Sequence, residues 1–267
     1  MGIISYKPLI DDMTWSYSRI ETFNDCPYRF FLRYIKRFKD NDKFYSSYGS
    51  FIHKILERYY KGELSKNDML TTFLLDFKKE VRGIRPKEST VQKYINAGCE
   101  YLKSFSPFPF KMIDVEKKVE FEIGDYEFIG FIDYLGFDEE DDSICIVDNK
   151  SRDLKPRSNR AKPTVKDKEL DKMLRQLYLY AAGVEEEYGV LPKWLCFNCF
   201  KAGVFIKEKF DTQKYEEAKQ WAVKSIEKIS NTEDFEPNRD FFSCFYICGV
   251  SDHCEYDIEA REERRRS

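Results

Sequence analysis

The sequence predicts an α/β fold in which a small mixed β-sheet is flanked by helices. Apolar residues first recur at helical spacing, and the pattern then changes to alternation between residues 115 and 148. Helical spacing returns after residue 170, and a second alternating pair follows over residues 193 to 210. This order of helices, three strands, a helix and two strands is typical of an α/β domain.

The N-terminal part predicts four helices. Apolar and aromatic residues at helical spacing place the first over Ser16 to Lys39 and the second from Ser46 to Tyr60. Residues 64 to 105 carry two further apolar faces with a break at Pro86. We interpret residues 61 to 110 as a helical insertion that covers or channels a substrate.

The central part predicts a three-stranded meander. Its strands run from Val115 to Ile123, from Tyr126 to Phe137, and through an apolar run that ends at Asp148. A Gly124-Asp125 turn joins the first two strands, and an acidic turn joins the second to the third. We expect residues 111 to 210 to form the core sheet with its following helix.

The C-terminal part completes the fold. A long helix is predicted over Leu170 to Tyr188, a hairpin over Lys193 to Phe210, and a helix over Gln213 to Ile229. A coil with three cysteines follows, and the charged tail from Arg261 to Arg266 is predicted to be frayed or helical. We expect residues 1–267 to form a single domain.

The composition is that of an ordered intracellular protein. Hydrophobic residues make up 42% and aromatic residues 16% of the 267 residues, which is enough for a substantial core. No apolar run reaches the length of a membrane span, and the first residues lack the layout of a signal peptide. We therefore expect a cytoplasmic protein with no membrane partner. Because no hydrophobic seam or heptad run stands out, we expect a monomer.

The charged residues are unevenly distributed. The net charge of −3 does not indicate a nucleic-acid partner, but residues 150 to 175 contain ten Lys or Arg and only four acids. A solvated loop and a phosphate-contacting segment both have this composition, and the position after a polar strand end favours the second. The candidate nucleic-acid-binding residues are basic side chains of this segment and of the first helix: Arg29, Arg33, Arg152, Lys155, Arg157 and Arg175.

The candidate chemistry begins at the end of the third strand. Asp148 and Lys150 are two residues apart and so share a strand face, while Asp133 is a second acid within an apolar strand. Buried carboxylates are costly unless they pair or bind a cation, which suggests one shared metal ion. His53 is one of two histidines, and taken alone it is more simply a hydrogen-bonded core or surface histidine.

Four of the eight cysteines are not predicted to bind a metal ion. Disulfides are not expected in an intracellular protein. Cys99 and Cys145 fit small buried hydrophobic positions. Cys196 and Cys199 have the spacing of a metal knuckle, but a strand would point their thiols to opposite faces.

The other four cysteines are candidate metal ligands. Cys244, Cys248 and Cys254 lie in a predicted coil, where thiolates can converge on an iron–sulfur centre. Three thiolates need a fourth ligand, which Cys26 near the other end of the sequence could supply. Zinc is the alternative, and His253 could then serve as a ligand beside Cys254.

Taken together, these motifs resemble those of one family. The chain resembles the RecB-type nucleases of the PD-(D/E)xK superfamily, in the branch with an iron–sulfur cluster that includes the CRISPR-associated exonucleases and the nuclease domain of AddB. The matching segments occur in the family's order: Ser18 to Ile20, Cys26 to Phe30, Gly49 to His53, Gly130 to Asp133, Asp148 to Lys150, Gln176 to Tyr180, and the three late cysteines.

The resemblance implies a metal-dependent site. His53, Asp133 and Asp148 would bind a divalent cation together with the main-chain carbonyl of Asn149. Oxygen ligands suit Mg²⁺ or Mn²⁺, and one imidazole favours Mn²⁺.

The resemblance also implies the catalytic roles. Lys150 would position or activate the attacking water and neutralise charge on the phosphate, while Gln176 and Tyr180 would hold Lys150 and the DNA. The implied reaction is in-line attack of water on a phosphodiester. The implied catalytic residues are Asp133, Asp148, Lys150, Gln176 and Tyr180.

In such a protein Cys26, Cys244, Cys248 and Cys254 would hold a 4Fe–4S cluster. The cluster would tie residues 14–40 to residues 235–257 in one subdomain and act structurally. The family usually separates the first two late cysteines by two residues, whereas three separate them here.

We therefore expect a metal-dependent DNA exonuclease that acts on single-stranded ends, with 5′-to-3′ polarity favoured by the resemblance. Its setting would be recombination, repair, CRISPR-type or phage DNA processing, in the host cytoplasm if a phage encodes it. The alternative is a non-catalytic DNA-binding accessory subunit that positions a recombinase, helicase or integrase. A pure binding module has no need for acids beside a lysine, which favours the enzyme.

Overall fold

A computed structural model describes residues 5–257 of the chain. At its centre is one mixed five-stranded sheet with the order β1-β2-β3-β4-β5. All neighbouring strands are antiparallel except β3 and β4, which are parallel. The strands are β1 Lys111–Ile123, β2 Tyr126–Asp138, β3 Ser143–Asn149, β4 Trp194–Cys199 and β5 Val204–Lys209. With helices around it, this sheet confirms the predicted α/β fold class.

Eight α-helices surround the sheet in the described part of the chain. They are α1 Lys7–Asp11, α2 Tyr17–Asp25, α3 Pro27–Phe30, α4 Phe44–Tyr60, α5 Lys66–Glu80, α6 Glu88–Ser104, α7 Val165–Tyr188 and α8 Thr212–Ser230. None of the described helices combines the length and the apolar composition that crossing a membrane requires. The predicted tail from Arg261 to Arg266 lies outside the described residues.

Helix α7 makes the crossover between the parallel strands β3 and β4. A parallel pair needs such a connection, and its strands are buried on both faces, which explains why β3 is apolar from Ile144 to Val147. Gly183 lets α7 approach β1, because a Cβ there would lie 2.7 Å from the Val119 side chain. The helix is therefore fixed against the sheet along the stretch that carries Gln176 and Tyr180.

A second apolar cluster joins α4, α5 and α6. Its centre contains the fully buried Tyr48 and Phe73, and Phe200 at the end of β4 connects it to the sheet. Helix α4 buries Ile52 and Ile55 in this cluster, which leaves the neighbouring His53 to face the sheet edge. The two helices predicted between residues 64 and 105 are thus α5 and α6, and Pro86 lies between them.

The helix predicted over Ser16 to Lys39 is wrong as one element. Helix α2 ends at Asp25, because Cys26 has extended backbone angles (φ −160°, ψ 106°) and Pro27 begins α3. Proline lacks the amide that a continuous helix needs and clashes with the preceding turn. The Cys26 thiol instead caps α3, where it accepts from the Arg29 amide. It also accepts from the amide of Asn238, at a sulfur–nitrogen distance of 3.4 Å.

Two other boundaries differ from the sequence prediction. Helix α7 begins at Val165 rather than at Leu170, because Thr164 and Asp167 form a capping box that starts the helix inside the basic segment. The predicted coil around the late cysteines contains a π-helical turn at Ser243–Ile247 and a 3₁₀ turn at Ser251–His253. Both differences come from local hydrogen bonds that hydrophobic spacing does not report.

Replacement of Asp167 tests whether its carboxylate anchors the start of α7. The carboxylate accepts four hydrogen bonds, from the amides and hydroxyls of Ser158 and Thr164. These bonds, led by the Ser158 amide, hold the pKa of Asp167 well below its usual range. A carboxyl with a lowered pKa stabilises the fold above its unfolded-state pKa of about 3.9 and loses that effect as the pH falls. Asp167→Asn should therefore lower the melting temperature at pH 7, and the difference should narrow as the pH falls below about 4.

The measurement is thermal unfolding followed by circular dichroism between pH 7 and pH 3. Asp234→Asn, at an exposed position in the described chain, is the control and should leave the melting temperature unchanged. A melting difference for Asp167→Asn that does not depend on pH would contradict the assignment.

Candidate active site

The two predicted acids of the sheet lie side by side. The antiparallel pairing of Tyr134 with Val147 places Asp133 of β2 next to Asp148 of β3. The amide of Asn149 donates to Asp133 Oδ2 at 2.6 Å, and Asp148 and Asn149 are almost completely buried. The end of β3 therefore brings both carboxylates to one polar edge of the sheet.

Helix α4 adds an imidazole to these acids. His53 Nδ1 lies 3.4 Å from Asp133 Oδ2, and His53 Nε2 lies 2.9 Å from the carbonyl oxygen of Asn149. Burial alone would lower the pKa of His53, but the charge and hydrogen bond of Asp133 raise it. One side chain thus contacts two of the groups that the sequence predicted as metal ligands.

Glu116 of β1 also belongs to this cluster, and the sequence interpretation missed it. His53, Glu116 and Asp133 offer ligand atoms that all lie within 4.8 Å of one another. Burial, with Asp133 next in effect, raises the pKa of Glu116 to about 7. A signal was available: the two-residue turn at Gly124-Asp125 fixes the hairpin register, and counting back from it places Glu116 opposite Asp133. Residue spacing within β1 alone assigns Glu116 to the solvent-facing side.

Lys150 is held in place by a chain of polar contacts. Its Nζ lies 2.7 Å from Asp148 Oδ2 and donates to Gln176 Oε1 at 2.9 Å. Gln176 Nε2 in turn donates to the hydroxyl of Tyr180 at 2.9 Å. The backbone amide of Lys150 donates to the carbonyl of Asn198 at 2.8 Å, which fixes the segment beside β4. The ammonium group therefore has a defined position next to the acids.

The charges at this edge are unbalanced. The carboxylates of Glu116, Asp133 and Asp148 lie together here, with the ammonium of Lys150 beside Asp148 and the imidazole of His53 beside Asp133. Burial raises the pKa of Asp148, and Asp133 adds to this effect while Lys150 opposes it. Burial would also raise the pKa of Asp133, but His53 and the Asn149 amide lower it. The donor set of acids, one imidazole and a main-chain carbonyl fits a divalent cation, which would relieve the excess negative charge.

The sequence profile of the PD-(D/E)XK nuclease superfamily matches residues 14–257. The chain belongs to this superfamily. Its members are nucleases that use divalent metals. No curated protein matches the sequence significantly.

Two solved structures resemble the chain. One is a protein from Eubacterium rectale described as a candidate exonuclease, with 15% sequence identity, a TM-score of 0.47, and coverage of 90% of this chain and 93% of the other. The second is a protein named SSO0001, with 14% identity, a TM-score of 0.33, and coverage of 89% and 85%.

The predicted DNA-binding residues of this PD-(D/E)XK nuclease occupy different environments. Arg29 and Arg152 line a cleft of about 860 Å³ next to the acids. The other four contact the protein itself: Arg33 pairs with Asp40, Lys155 with Asp153, Arg157 with Asp171 and Glu208, and Arg175 lies over the Trp221 ring. Arg157 in particular joins the basic loop to α7 and β5 through its two ion pairs.

The four cysteines predicted as metal ligands line the same cleft. Cys26, Cys244, Cys248 and Cys254 all contribute to its wall. In the described chain, no three of these thiols lie within 4.8 Å of one another, whereas a tetrahedral zinc site places its sulfurs about 3.8 Å apart. The ring of His253 stacks on Phe38 with a centroid distance of 4.0 Å.

The remaining cysteines lie apart from this cleft. Cys145 and Cys196 are buried in the cluster on one face of the sheet, and Cys199 is buried in the main core. Cys196 and Cys199 thus contribute to different clusters, which a shared metal ion would not allow.

Replacement of Gly130 tests the positioning of Tyr180. A Cβ at Gly130 would lie 2.4 Å from the Tyr180 ring, which is itself buried. Gly130→Ala should destabilise the fold by about 1–3 kcal/mol, because overpacking displaces the ring. It should also lower metal-dependent nuclease activity, because Tyr180 holds Gln176 and Gln176 holds Lys150.

The matched control is Gly49→Ala on α4, where a Cβ meets Ser151 at an ordinary 3.7 Å. Both variants are compared with the wild type by chemical denaturation and by nuclease assay. If Gly130→Ala were as stable and as active as Gly49→Ala, the close packing would have no role in positioning Tyr180.

Proposed function

We propose that the protein is a metal-dependent DNA exonuclease that hydrolyses phosphodiester bonds at single-stranded ends. The observation that carries the proposal is the contact of Lys150 Nζ with Asp148, 2.7 Å away, beside the cluster of His53, Glu116 and Asp133. Superfamily membership supports nuclease activity, and the resemblance to RecB-type nucleases favours single-stranded ends and 5′-to-3′ polarity. A setting in recombination, repair, CRISPR-type or phage DNA processing follows from the same resemblance.

The residues that would hold the metal are His53, Glu116, Asp133, Asp148 and the carbonyl of Asn149. Their oxygen-rich donor set with one imidazole suits Mg²⁺ or Mn²⁺. When bound, the divalent cation stabilises negative charge on the phosphate and lowers the pKa of a water molecule.

The protein groups then have separate tasks in the hydrolysis. The ammonium of Lys150 holds the attacking water in line with the phosphate and offsets charge that develops on its oxygens. Gln176 and Tyr180 act as positioning residues, because they restrain the ammonium through two hydrogen bonds of 2.9 Å. The buried carboxylate of Asp148 pairs with the ammonium of Lys150 at 2.7 Å and so fixes its position.

A catalytic role fits this arrangement better than the accessory-subunit alternative. An accessory protein gains nothing from burying Asp148 next to Asp133, because unpaired buried carboxylates destabilise a fold. Clusters of this kind, with pKa values shifted by burial, occur preferentially at catalytic sites. A recombinase, helicase or integrase remains a candidate partner for the enzyme, and we propose a monomer.

We further propose that Cys26, Cys244, Cys248 and Cys254 hold a 4Fe–4S cluster. Support comes from their common cleft and from the resemblance to the iron–sulfur branch of the RecB-type nucleases. Burial raises the pKa of Cys248 to about 11, while the nearby Arg29 favours its thiolate form. Such a cluster would fasten the corner at Cys26 to the C-terminal segment and so shape the DNA entry.

Removal of the Lys150 ammonium tests the catalytic assignment. Lys150→Ala should lower the cleavage rate at least about a hundredfold, because it removes the group that positions water and offsets charge. DNA binding should persist. The assay follows an end-labelled single-stranded oligonucleotide with Mn²⁺, Mg²⁺ or chelator.

Lys224→Ala, at an exposed site on α8, is the control and should cleave like the wild type. Wild-type cleavage by Lys150→Ala would place the chemistry elsewhere. Degradation that starts at the labelled end releases the label as mononucleotides, whereas degradation from the other end leaves it on long fragments. The size of the labelled products therefore gives the polarity.

Removal of one thiol tests the cluster. Cys248→Ala should lose iron, the visible absorption of the protein and thermal stability together, because the cluster joins two distant segments. The protein is purified without oxygen, and its iron and zinc are measured by mass spectrometry. Cys99→Ala, at a half-buried cysteine of α6, should retain all three properties.

If the wild-type protein contained zinc and no iron, the four cysteines would hold a zinc site and not an iron–sulfur cluster. Unchanged metal content in Cys248→Ala would remove this cysteine from the ligand set.

A further inference from the structure

Three aromatic side chains from separate segments meet in the wall of the cleft that the cysteines line. They are Tyr45 of α4, Tyr94 of α6 and Phe242, and we call them the aromatic platform. The ring centroids of Tyr45 and Tyr94 are 5.4 Å apart, and those of Tyr45 and Phe242 are 5.5 Å apart. Phe242 is 48% exposed although its ring packs against Tyr45 of α4. The platform is thus a contiguous aromatic surface that faces the cleft.

The charge next to the platform is positive. Lys201 Nζ lies 4.7 Å from the centroid of the Tyr94 ring and donates to the Tyr94 hydroxyl at 3.3 Å. Within residues 5–257, no carboxylate forms an ion pair with Lys201 or with Arg152, and both side chains line the cleft. These cations are therefore available to a ligand that carries negative charge.

Acids in the same wall are already engaged. Asp153 pairs with Lys155, Glu169 pairs with Lys166, and Asp240 accepts from the amide of Ser243. Their charges are largely offset within the protein. Among the described residues, five basic and five acidic side chains line the cleft, so the positive charge that a phosphate can contact is local to Lys201 and Arg152 beside the platform.

The cleft begins directly behind the catalytic lysine. Ser151, Arg152 and Asp153, the residues that follow Lys150, line its wall. The Cα of Arg152 lies no more than about 7 Å from that of Lys150, because only two peptide units separate them. A chain of phosphates that passes Lys150 can therefore continue into the cleft.

We propose that the aromatic platform stacks against unpaired bases of the strand being cleaved, while Lys201 and Arg152 contact its phosphates. The inference rests on the proposed nuclease function and names the site that selects single strands. Every base offers a flat π-face for stacking, which makes such binding independent of sequence. In a duplex both faces of each base are covered by neighbouring pairs, so the platform discriminates against duplex DNA. Alternating cations and aromatic rings are the combination that binds single strands.

The test measures binding without cleavage. A fluorescein-labelled 12-nucleotide single strand of mixed sequence and the duplex of the same sequence are titrated in chelator and followed by anisotropy. Phe242→Leu and Tyr45→Leu keep apolar volume but remove a π-face, and each should weaken single-strand binding by about fivefold or more. Duplex binding should change less than twofold.

An abasic strand of the same length separates stacking from a general structural effect. Because it carries phosphates but no bases, the wild type and both variants should bind it equally. Phe205→Leu, at a partly exposed phenylalanine of β5 outside the cleft, is the matched control and should bind every ligand like the wild type. Circular dichroism and melting temperature establish that each variant is folded.

The outcomes distinguish the two proposals. If folded Phe242→Leu and Tyr45→Leu both bound the mixed-sequence single strand within twofold of the wild type, the platform would be wrong, whether or not the wild type cleaves DNA. If both variants lost affinity for the single strand only, the platform would stand even where wild-type protein with Mn²⁺ or Mg²⁺ failed to cleave. An equal loss on abasic and base-bearing strands would also overturn it, since phosphate contacts alone would then account for binding.

Discussion

The cost of burying carboxylates organises this fold. Asp148 is buried near the end of the apolar strand β3, and Asp133 lies beside it on β2 with 10% of its side chain exposed, so water offsets little of their charge. The surrounding structure supplies the compensation: His53 from α4, the backbone amide of Asn149, and the ammonium of Lys150. Glu116 adds a third acid, so protein groups alone leave an excess of negative charge that suits a divalent cation. The acids, the imidazole and the lysine that the proposed reaction uses are thus the same groups that balance one another's charge in the fold.

The two helical layers are joined at this site by polar contacts as well as by packing. Asn198 on β4 donates to the side chain of Asn149 and to the hydroxyl of Tyr101 on α6, each at 2.7 Å. On the other side, Gln176 and Tyr180 connect α7 to Lys150. A shift of either helical layer therefore changes the position of the acids or of the lysine.

The cleft links the site to the two ends of the described chain. Cys26 lies at the break between α2 and α3, where its thiol is not part of a continuous helix. The amide of Asn238 in the C-terminal segment donates a hydrogen bond to this sulfur. The segment that carries Cys244 and Cys248 also presents Phe242 to Tyr45. The placement of a metal centre bound by the cysteines and the placement of the aromatic platform would therefore depend on each other.

The sequence by itself determined the strands, the helix between β3 and β4, and the acids and lysine at the end of β3. Alternation reports burial on one face, which is a local property, so Asp133, Asp148 and Lys150 could be found from their strands, whereas the role of Gln176 came from the family resemblance. Tertiary structure decided which groups meet. The hairpin register places Glu116 at the site, and Arg157 forms ion pairs with Asp171 of α7 and Glu208 of β5. Register and ion pairing depend on partners distant in the chain, and residue spacing within one element carries no information about them.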